Sequence, residues 1–432
     1  MYLFYLFLIY LISTVIVVSL RPRNNSNFGN SIYYLFVFGF IFYAGTVIAK
    51  NEIPSYYLLM YFIFLATLGV SYRFFYKLLL PIGNYSNRSL GCSLIPFVER
   101  NSKKIIILFY VLTILPLLVP NFRLGLVLSP PAPDLVSVFG WRMEGGEKHP
   151  FIRIAELIKL LLVPFFYLAI FSFRKNLTIV VSIIISIFYL EYIDTAYKSR
   201  GQLIAVLFPI LFYVWHFFPK YRKPIVISML AIMPLVIIFF NFYENYRLGV
   251  DVLLSDFSLS DSLEHILNAE TSFPSAVGIP IIESGARVDL GSYFTWIFTL
   301  PIPKFIFGEI SGARINTEIS EIFLGVSKGS AGFFIILPGL IAESVYIFGN
   351  YFYWIHAAFL GLIIAFLTRI FQGSKNFAFL VGYLAILMMY NTNRGGISSS
   401  LAQIVNELLL VYLILFMTLL KKRPQSTINV LG

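Results

Sequence analysis

The segment GARINTEISEIFLG, residues 312–325, places charged side chains among isoleucines at a helical spacing. Arg314, Glu318, Glu321 and Gly325 follow one another at intervals of four, three and four residues, so a helix would carry them along one face. A guanidinium group presents fork-shaped donors that suit phosphate and pyrophosphate oxygens. The segment therefore has the residue types for binding a phosphorylated substrate, with Glu318 and Glu321 able to orient the arginine.

The same segment also fits a helix that lies on a membrane surface. Its other face would be apolar and would consist of Ile315, Ile319, Ile322 and Phe323. Gly325 is expected to end the helix in the left-handed conformation. In this interpretation Arg314 and Glu318 form an exposed pair that contributes only a few tenths of a kcal/mol.

Glu343 is an isolated carboxylate inside the apolar segment GFFIILPGLIAESVYIFG, residues 332–349. Such a group is expected either to face a hydrated cavity or to stay protonated with a raised pKa. This predicts a functional residue. The alternative is a hydrogen-bonded side chain that only contributes to packing.

A further charged group occurs in YLEYIDTAYKSRGQLI, residues 189–204. Glu191, Asp194 and Lys198 would share one helical face, and Arg200 follows at a turn with Gly201. Charges near a membrane end indicate a buried polar site or an ion pair, although Lys198 and Arg200 could instead extend to the headgroups. The other arginines predicted outside or at an outer turn are Arg142, Arg153, Arg247, Arg287 and Arg394.

Several kinds of catalytic site are absent from the sequence. There is no phosphate-binding G-x-x-x-x-G-K loop and no H-E-x-x-H motif. Cys92 is the only cysteine, and the histidines lack ligand-like spacing. We therefore expect neither a metal nor another cofactor, and any enzymatic activity would depend on substrate positioning and on arginine electrostatics.

The composition predicts an all-α polytopic membrane protein. Hydrophobic residues make up 59% of the 432 residues and charged residues only 12%, far below the quarter that is typical of soluble domains. About eleven spans (11–13) are expected from apolar runs of membrane length. They cover residues 2–20, 31–49, 56–72, 105–120, 154–173, 178–195, 202–218, 224–242, 351–368, 377–390 and 397–420.

The charge distribution supports that topology. Eleven crossings put the N-terminus outside and the C-terminus inside, and the inside segments then hold eighteen of the 32 basic residues but only one acidic residue, Glu99. Such asymmetry is the positive-inside pattern. The net charge of +11 is therefore explained by topology, and nucleic acid is not expected as a partner.

Two outside regions are longer than simple connections within the single membrane domain, residues 1–432. The first covers residues 121–153 and the second residues 243–350. The second contains two proline-broken apolar pieces, 292–307 and 332–349, which either both cross the membrane or both form re-entrant or interfacial helices. We favour the re-entrant or interfacial arrangement.

This layout resembles the bacterial O-antigen and oligosaccharide repeat-unit polymerases of the Wzy type. The resemblance rests on the number of spans, on the two enlarged loops and on four short matches. These are the SRG turn at 199–201, the Arg314-x10-Gly325 spacing, the E-x5-G of Glu343 to Gly349, and FGE at 307–309.

The resemblance implies a GT-C-like membrane enzyme of the bacterial inner membrane with its active site facing the periplasm. Such an enzyme transfers a glycan from undecaprenyl pyrophosphate to the non-reducing end of a new lipid-linked repeat unit, without metal or nucleotide sugar. Arg314, Arg200 and Arg287 would hold the pyrophosphate, together with Arg247, Arg142 and Arg394. Glu343 would take the proton from the acceptor hydroxyl.

The implied partners are lipid-linked donor and acceptor glycans, the lipid bilayer and a chain-length regulator in the membrane. Two other functions stay open. A lipid-linked glycan ligase would carry a histidine in its large loop, for which His265 is the candidate. A flippase or transporter of lipid-linked oligosaccharide would show short outer loops and charges at the midplane of several helices.

Overall fold

The computed structural model describes eight continuous ranges and some short pieces. The ranges are residues 2–20, 30–48, 54–79, 222–247, 257–300, 315–328, 335–373 and 378–401, and scattered positions lie mainly at 100–111 and 173–185. Throughout these ranges the secondary structure is helical, with no strand.

Helices α1 to α4 form the N-terminal part of the fold. They are α1 (Tyr2–Leu20), α2 (Ser31–Phe40), α3 (Thr46–Ile48) and α4 (Ser55–Leu78), with a π-helical turn at Ile41–Gly45 between α2 and α3. The second half contains α5 (Arg222–Arg247), α6 (Leu259–Phe273), a π-helical turn at Pro274–Gly278, α7 (Ile279–Ser284), α8 (Leu290–Thr299), α9 (Ile315–Leu324), α10 (Leu340–Phe348), α11 (Trp354–Gly373) and α12 (Ala378–Gly395).

The helices confirm an α-helical protein suited to a membrane. Among the described residues, four stretches are long and apolar enough to cross a bilayer: Ser31–Ile48, Ser55–Leu78, Arg222–Phe239 and Trp354–Gln372. The predicted span at 2–20 also lies on a helix, as does the predicted span at 377–390 from residue 378 onward. The predicted spans at 105–120, 154–173, 178–195, 202–218 and 397–420 lie wholly or largely outside the described residues, and the count of eleven stays a prediction.

The main core forms where α4 packs against α11. Near one end of this pair the guanidinium of Arg369 lies 3.5 Å from the centre of the Tyr76 ring, and its Nε donates a 2.8 Å hydrogen bond to the Tyr76 carbonyl. Tyr72, one turn earlier, stacks on Tyr33 of α2 with 4.3 Å between ring centres. These contacts hold a charged group among aromatic rings, where its hydrogen bond offsets the loss of hydration.

A second core joins α7, α8, α9 and α10. Its buried side chains include Ile281, Tyr293, Trp296, Ile315, Ile319 and Ile347. Helix α10 is buried on all sides from Leu340 to Ile347, as expected for a helix without a polar face toward solvent. It has nine residues and a length of about 14 Å, too short for a hydrocarbon layer of about 30 Å.

Proline breaks separate α10 from the preceding chain, as the sequence predicts. Pro338 and Gly339 precede the first residue of α10, and the Gly339 amide donates a 3.0 Å hydrogen bond to the carbonyl of Arg394 on α12. The break at Pro301 lies outside the described residues, directly after α8. Whether these pieces re-enter the membrane stays a prediction.

Candidate functional site

Glu343 is fully buried, and its carboxylate binds the start of another helix. The backbone amides of Ile397 and Ser398 donate hydrogen bonds of 2.6 Å to Oε2 and 3.0 Å to Oε1. A new helical segment begins at Ile397, after α12. The Ile397 and Ser398 amides are therefore among the first amides of a helix, which have no carbonyl acceptor within that helix. A carboxylate is well suited to this position because it also meets the positive end of the helix dipole.

Gly396 makes this contact possible. It has φ +85°, a left-handed conformation that favours glycine, and a Cβ at this position would overlap the Glu343 carboxyl group. The chain therefore brings bare backbone against the carboxylate at the junction after α12.

Burial is the main influence on the protonation of Glu343. Removal from water raises the pKa of this carboxyl from its ordinary value to about 7, while hydrogen bonds from Ser398 and from the Ile397 amide act in the opposite direction. Nδ1 of His356 lies 3.8 Å from Oε2, and the same nitrogen is 2.9 Å from the Ser344 hydroxyl. The site is thus a buried polar network inside the second half of the fold.

Arg394 lies at the end of α12, close to this network. Its guanidinium donates a hydrogen bond to the Tyr390 hydroxyl and lies 5.1 Å from the centre of that ring. The side chain is half-buried, and the Arg394 carbonyl accepts the bond from Gly339 described above. Arg394 therefore fixes the start of α10 through its backbone while its side chain is held along its own helix.

The segment around Gly325 forms the helix that its spacing predicts. Helix α9 extends from Ile315 to Leu324, and Gly325 follows with φ +66° and an amide bonded to the Glu321 carbonyl at 2.9 Å. The predicted apolar face is only partly correct, because Ile322 and Phe323 are 54% and 45% exposed. Only the first half of that face, Ile315 and Ile319, packs into the protein.

Glu318 is half-buried on α9 and contacts α10. The Tyr346 hydroxyl donates a 3.2 Å hydrogen bond to Oε2 of Glu318. Burial is the first cause that raises the pKa of Glu318, the Tyr346 hydrogen bond lowers it, and the nearby charge of Glu321 raises it. Glu321 itself accepts a 2.8 Å hydrogen bond from the Lys328 amide, which holds the chain after α9.

Arg287 is exposed and lies over the end of α10. A Cβ on Gly349 would be 2.5 Å from the guanidinium carbon of Arg287. The next residue, Val288, donates a 3.0 Å backbone hydrogen bond to the Tyr346 carbonyl. Within the described part of the chain the Arg287 guanidinium has no hydrogen bond or ion pair, so its donors are available to a ligand.

The structure thus brings together some of the residues predicted from sequence. Glu318 and the Arg287 segment both contact Tyr346, whereas Glu343 and Arg394 belong to the junction of α10 with α12. Arg142, Arg200 and Arg314 lie outside the described residues, and Arg247 is the last residue of α5 with a side chain that also lies outside them.

Sequence reasoning did not single out Tyr346, His356 or Gly396 as members of the site. Two signals point toward such a role. Tyr346 lies three residues after Glu343 on the same helix, and Gly396 closes a glycine pair between Arg394 and a serine run. Neither pattern predicts which residue is contacted, because the contacted residues, Glu318 for Tyr346 and Glu343 for Gly396, lie in other segments of the chain.

No protein-family model matches the chain, and the searches of curated proteins and of solved structures give no match either.

Proposed function

We propose that this protein polymerises undecaprenyl-pyrophosphate-linked oligosaccharide repeat units at the periplasmic face of the bacterial inner membrane. The observation that carries the proposal is the position of Tyr346, which binds Glu318 through its hydroxyl and the Arg287 segment through its carbonyl. The backbone beside an exposed arginine and a half-buried carboxylate are thereby bonded to one buried helix, in a protein with membrane-length helices.

Arg287 supplies the electrostatic part of the reaction. An exposed guanidinium with free donors can bind pyrophosphate oxygens in a forked geometry. When the donor glycan leaves its lipid carrier, negative charge increases on the pyrophosphate, and a fixed cation stabilises that charge. Arg314, Arg200, Arg247, Arg142 and Arg394 are the further arginines assigned to the pyrophosphate or the glycan in this proposal, and no metal or cofactor is assigned.

The apolar surroundings suit a lipid-linked substrate. Both substrates carry a polyprenyl chain that stays in the bilayer, so the reacting groups must meet near the membrane surface. Tyr351 and Phe352 are exposed in the turn between α10 and α11, and Trp354, the first residue of the candidate span, is exposed next to them. Aromatic residues in such a position are typical of the headgroup level. The Arg287 guanidinium lies over Gly349, the residue that directly precedes this turn.

The glycan produced by a deletion strain tests the proposal. Loss of a polymerase leaves single repeat units on the final acceptor, and the wild-type gene restores the long polymer. An acceptor without any glycan would indicate a ligase instead, and lipid-linked units retained on the inner leaflet would indicate a flippase. Either of these two results would overturn the polymerase proposal.

A further inference from the structure

A general base must reach the proton that it removes, either directly or through one water. Glu343, the carboxylate assigned this role from the sequence, is 0% exposed, and both of its oxygens bind backbone amides. Releasing either oxygen would leave a buried amide without a partner, at a cost of about 1–3 kcal/mol. This geometry suits a residue that positions helices.

We propose that Glu318, and not Glu343, is the group that removes the proton from the acceptor hydroxyl. This inference rests on the polymerase function proposed above. In the step, a Glu318 oxygen takes the hydroxyl proton while the hydroxyl oxygen forms a bond to the anomeric carbon of the donor glycan. The bond between that carbon and the pyrophosphate oxygen breaks, and the electron pair leaves with undecaprenyl pyrophosphate. The proton on Glu318 is then released to water.

The hydrogen bonds of Glu318 leave part of its carboxylate available to accept a proton. Tyr346 occupies Oε2 at 3.2 Å, and no other hydrogen bond to the Glu318 carboxylate occurs among the described residues. The side chain is half-buried, so the Oε1 atom, which has no hydrogen bond among the described residues, can face a substrate. The Tyr346 hydroxyl holds the carboxylate in one orientation, which is the arrangement that an oriented base requires.

The placement of Glu318 relative to Arg287 supports the same role. Tyr346 donates to Glu318 with its side chain, while its carbonyl accepts from Val288, the residue next to Arg287. The backbone beside Arg287 and the Glu318 carboxylate are therefore both bonded to a single residue of a buried helix. Such sharing anchors the backbone that carries the Arg287 side chain to the residue that orients the base, and ordered positioning of this kind favours proximity catalysis.

The ionisation of Glu318 is also suited to the task. Burial raises the pKa of this carboxyl, which brings a base closer to the operating pH. Burial also raises the pKa of the Tyr346 hydroxyl, so this group stays protonated and acts as a donor. The two groups that act on Glu318 in addition to burial are Tyr346, which lowers its pKa, and Glu321, which raises it.

Purified protein in proteoliposomes, supplied with lipid-linked repeat units, tests the inference. We expect Glu318→Gln to reduce kcat by about 100-fold or more, as is typical for the loss of a general base. Glu264→Gln, an exposed change on α6 away from the site, serves as the control and should retain wild-type kcat. Thermal unfolding in detergent establishes that each variant is folded, and Glu318→Asp should recover part of the rate if the carboxylate is the reacting group.

The pH profile separates a base from a structural residue. Tyr346→Phe removes a hydrogen bond that favours the charged form, so the acid limb of kcat should move to higher pH. Glu321→Gln removes a like charge, so the limb should move to lower pH. A folded Glu318→Gln that keeps kcat, or two variants with unmoved limbs, would overturn the assignment. If the wild-type protein makes no polymer in this assay, the proposed function fails instead, which is a distinguishable result.

Discussion

Gly396 lies so close to Glu343 that a single added methyl group would overlap the carboxylate, although the two residues are far apart in the sequence. The carboxylate binds the amides that follow this glycine, so the Glu343 side chain joins α10 directly to the helix that begins at Ile397. This junction fixes the helix that carries Tyr346, and through it Glu318 and the Arg287 segment.

Gly396→Ala should destabilise the protein much more than Gly325→Ala. Both glycines have a positive φ, at +85° and +66°, so each alanine carries a similar backbone penalty of about 1–2 kcal/mol. Around Gly325 nothing lies within 4 Å of an added Cβ, whereas at Gly396 the Cβ meets Glu343. Thermal unfolding in detergent measures the difference. Equal melting temperatures for the two variants would contradict the close contact.

The stability of the protein should depend on pH through Glu343. Because burial raises its pKa in the folded state to about 7 from the ordinary 4.5, the folded protein binds more protons than the unfolded chain between these values. The free energy of unfolding should therefore fall as the pH rises from about 4.5 to about 7, and level off above that range.

Glu343→Gln isolates this contribution, because the amide does not titrate. The Glu343→Gln variant will be less stable than the wild-type protein. Its side-chain amide has one oxygen and can accept only one of the two backbone N–H hydrogen bonds. The groups that face the carboxyl are the Ile397 and Ser398 amides, the Ser398 side chain, Tyr293 on α8 and, at 3.8 Å, His356. The expected result is a smaller change in melting temperature between pH 5 and pH 8 for the variant. An identical pH dependence in both proteins would show that Glu343 does not titrate in this range.

Arg287→Ala should abolish most polymer formation without lowering stability. The side chain is exposed, so its removal leaves the cores intact, while the loss of one charge-stabilising donor group reduces the rate by about 10²-fold or more. Arg287→Lys should recover only part of the activity, because lysine lacks the forked geometry. Polymer length on gels and melting temperature are the two measurements. Lys77→Ala, an exposed change near the end of α4, is the control, and equal polymer from both alanine variants would remove Arg287 from the site.

The single native cysteine provides a test of topology. Cys92 falls in residues 73–104, which the charge distribution predicts to lie on the inside. A maleimide that cannot cross the inner membrane should therefore not label the wild-type protein in cells with a permeable outer layer. Ser260→Cys, at an exposed position on α6 in the region assigned to the outside, should become labelled under the same conditions. Labelling of Cys92 without membrane disruption would reverse the assigned orientation.

The features that depend only on neighbouring residues could be predicted from the amino-acid sequence. Apolar runs of membrane length predict helices, and α2, α4, α5 and α11 lie at predicted spans because backbone hydrogen bonds must be satisfied within each segment in lipid. The end of α9 at Gly325 is equally local, since it depends on the φ angle of one residue. The break before α10 follows from Pro338.

Which charged residues come into contact depends on how the helices pack. Tyr346 and Glu318 are separated by 28 positions, and Glu343 and Ile397 by 54. No helical periodicity relates positions at such distances, so the spacing of Arg314, Glu318 and Glu321 indicated a shared face but not the helix that the face meets. The partial error at Ile322 and Phe323 has the same origin, because the packing of α9 against α8 and α10, and not its own pattern, determines which apolar residues are buried. Burial and partners are properties of the assembled helices, and they moved the proposed base from Glu343 to Glu318.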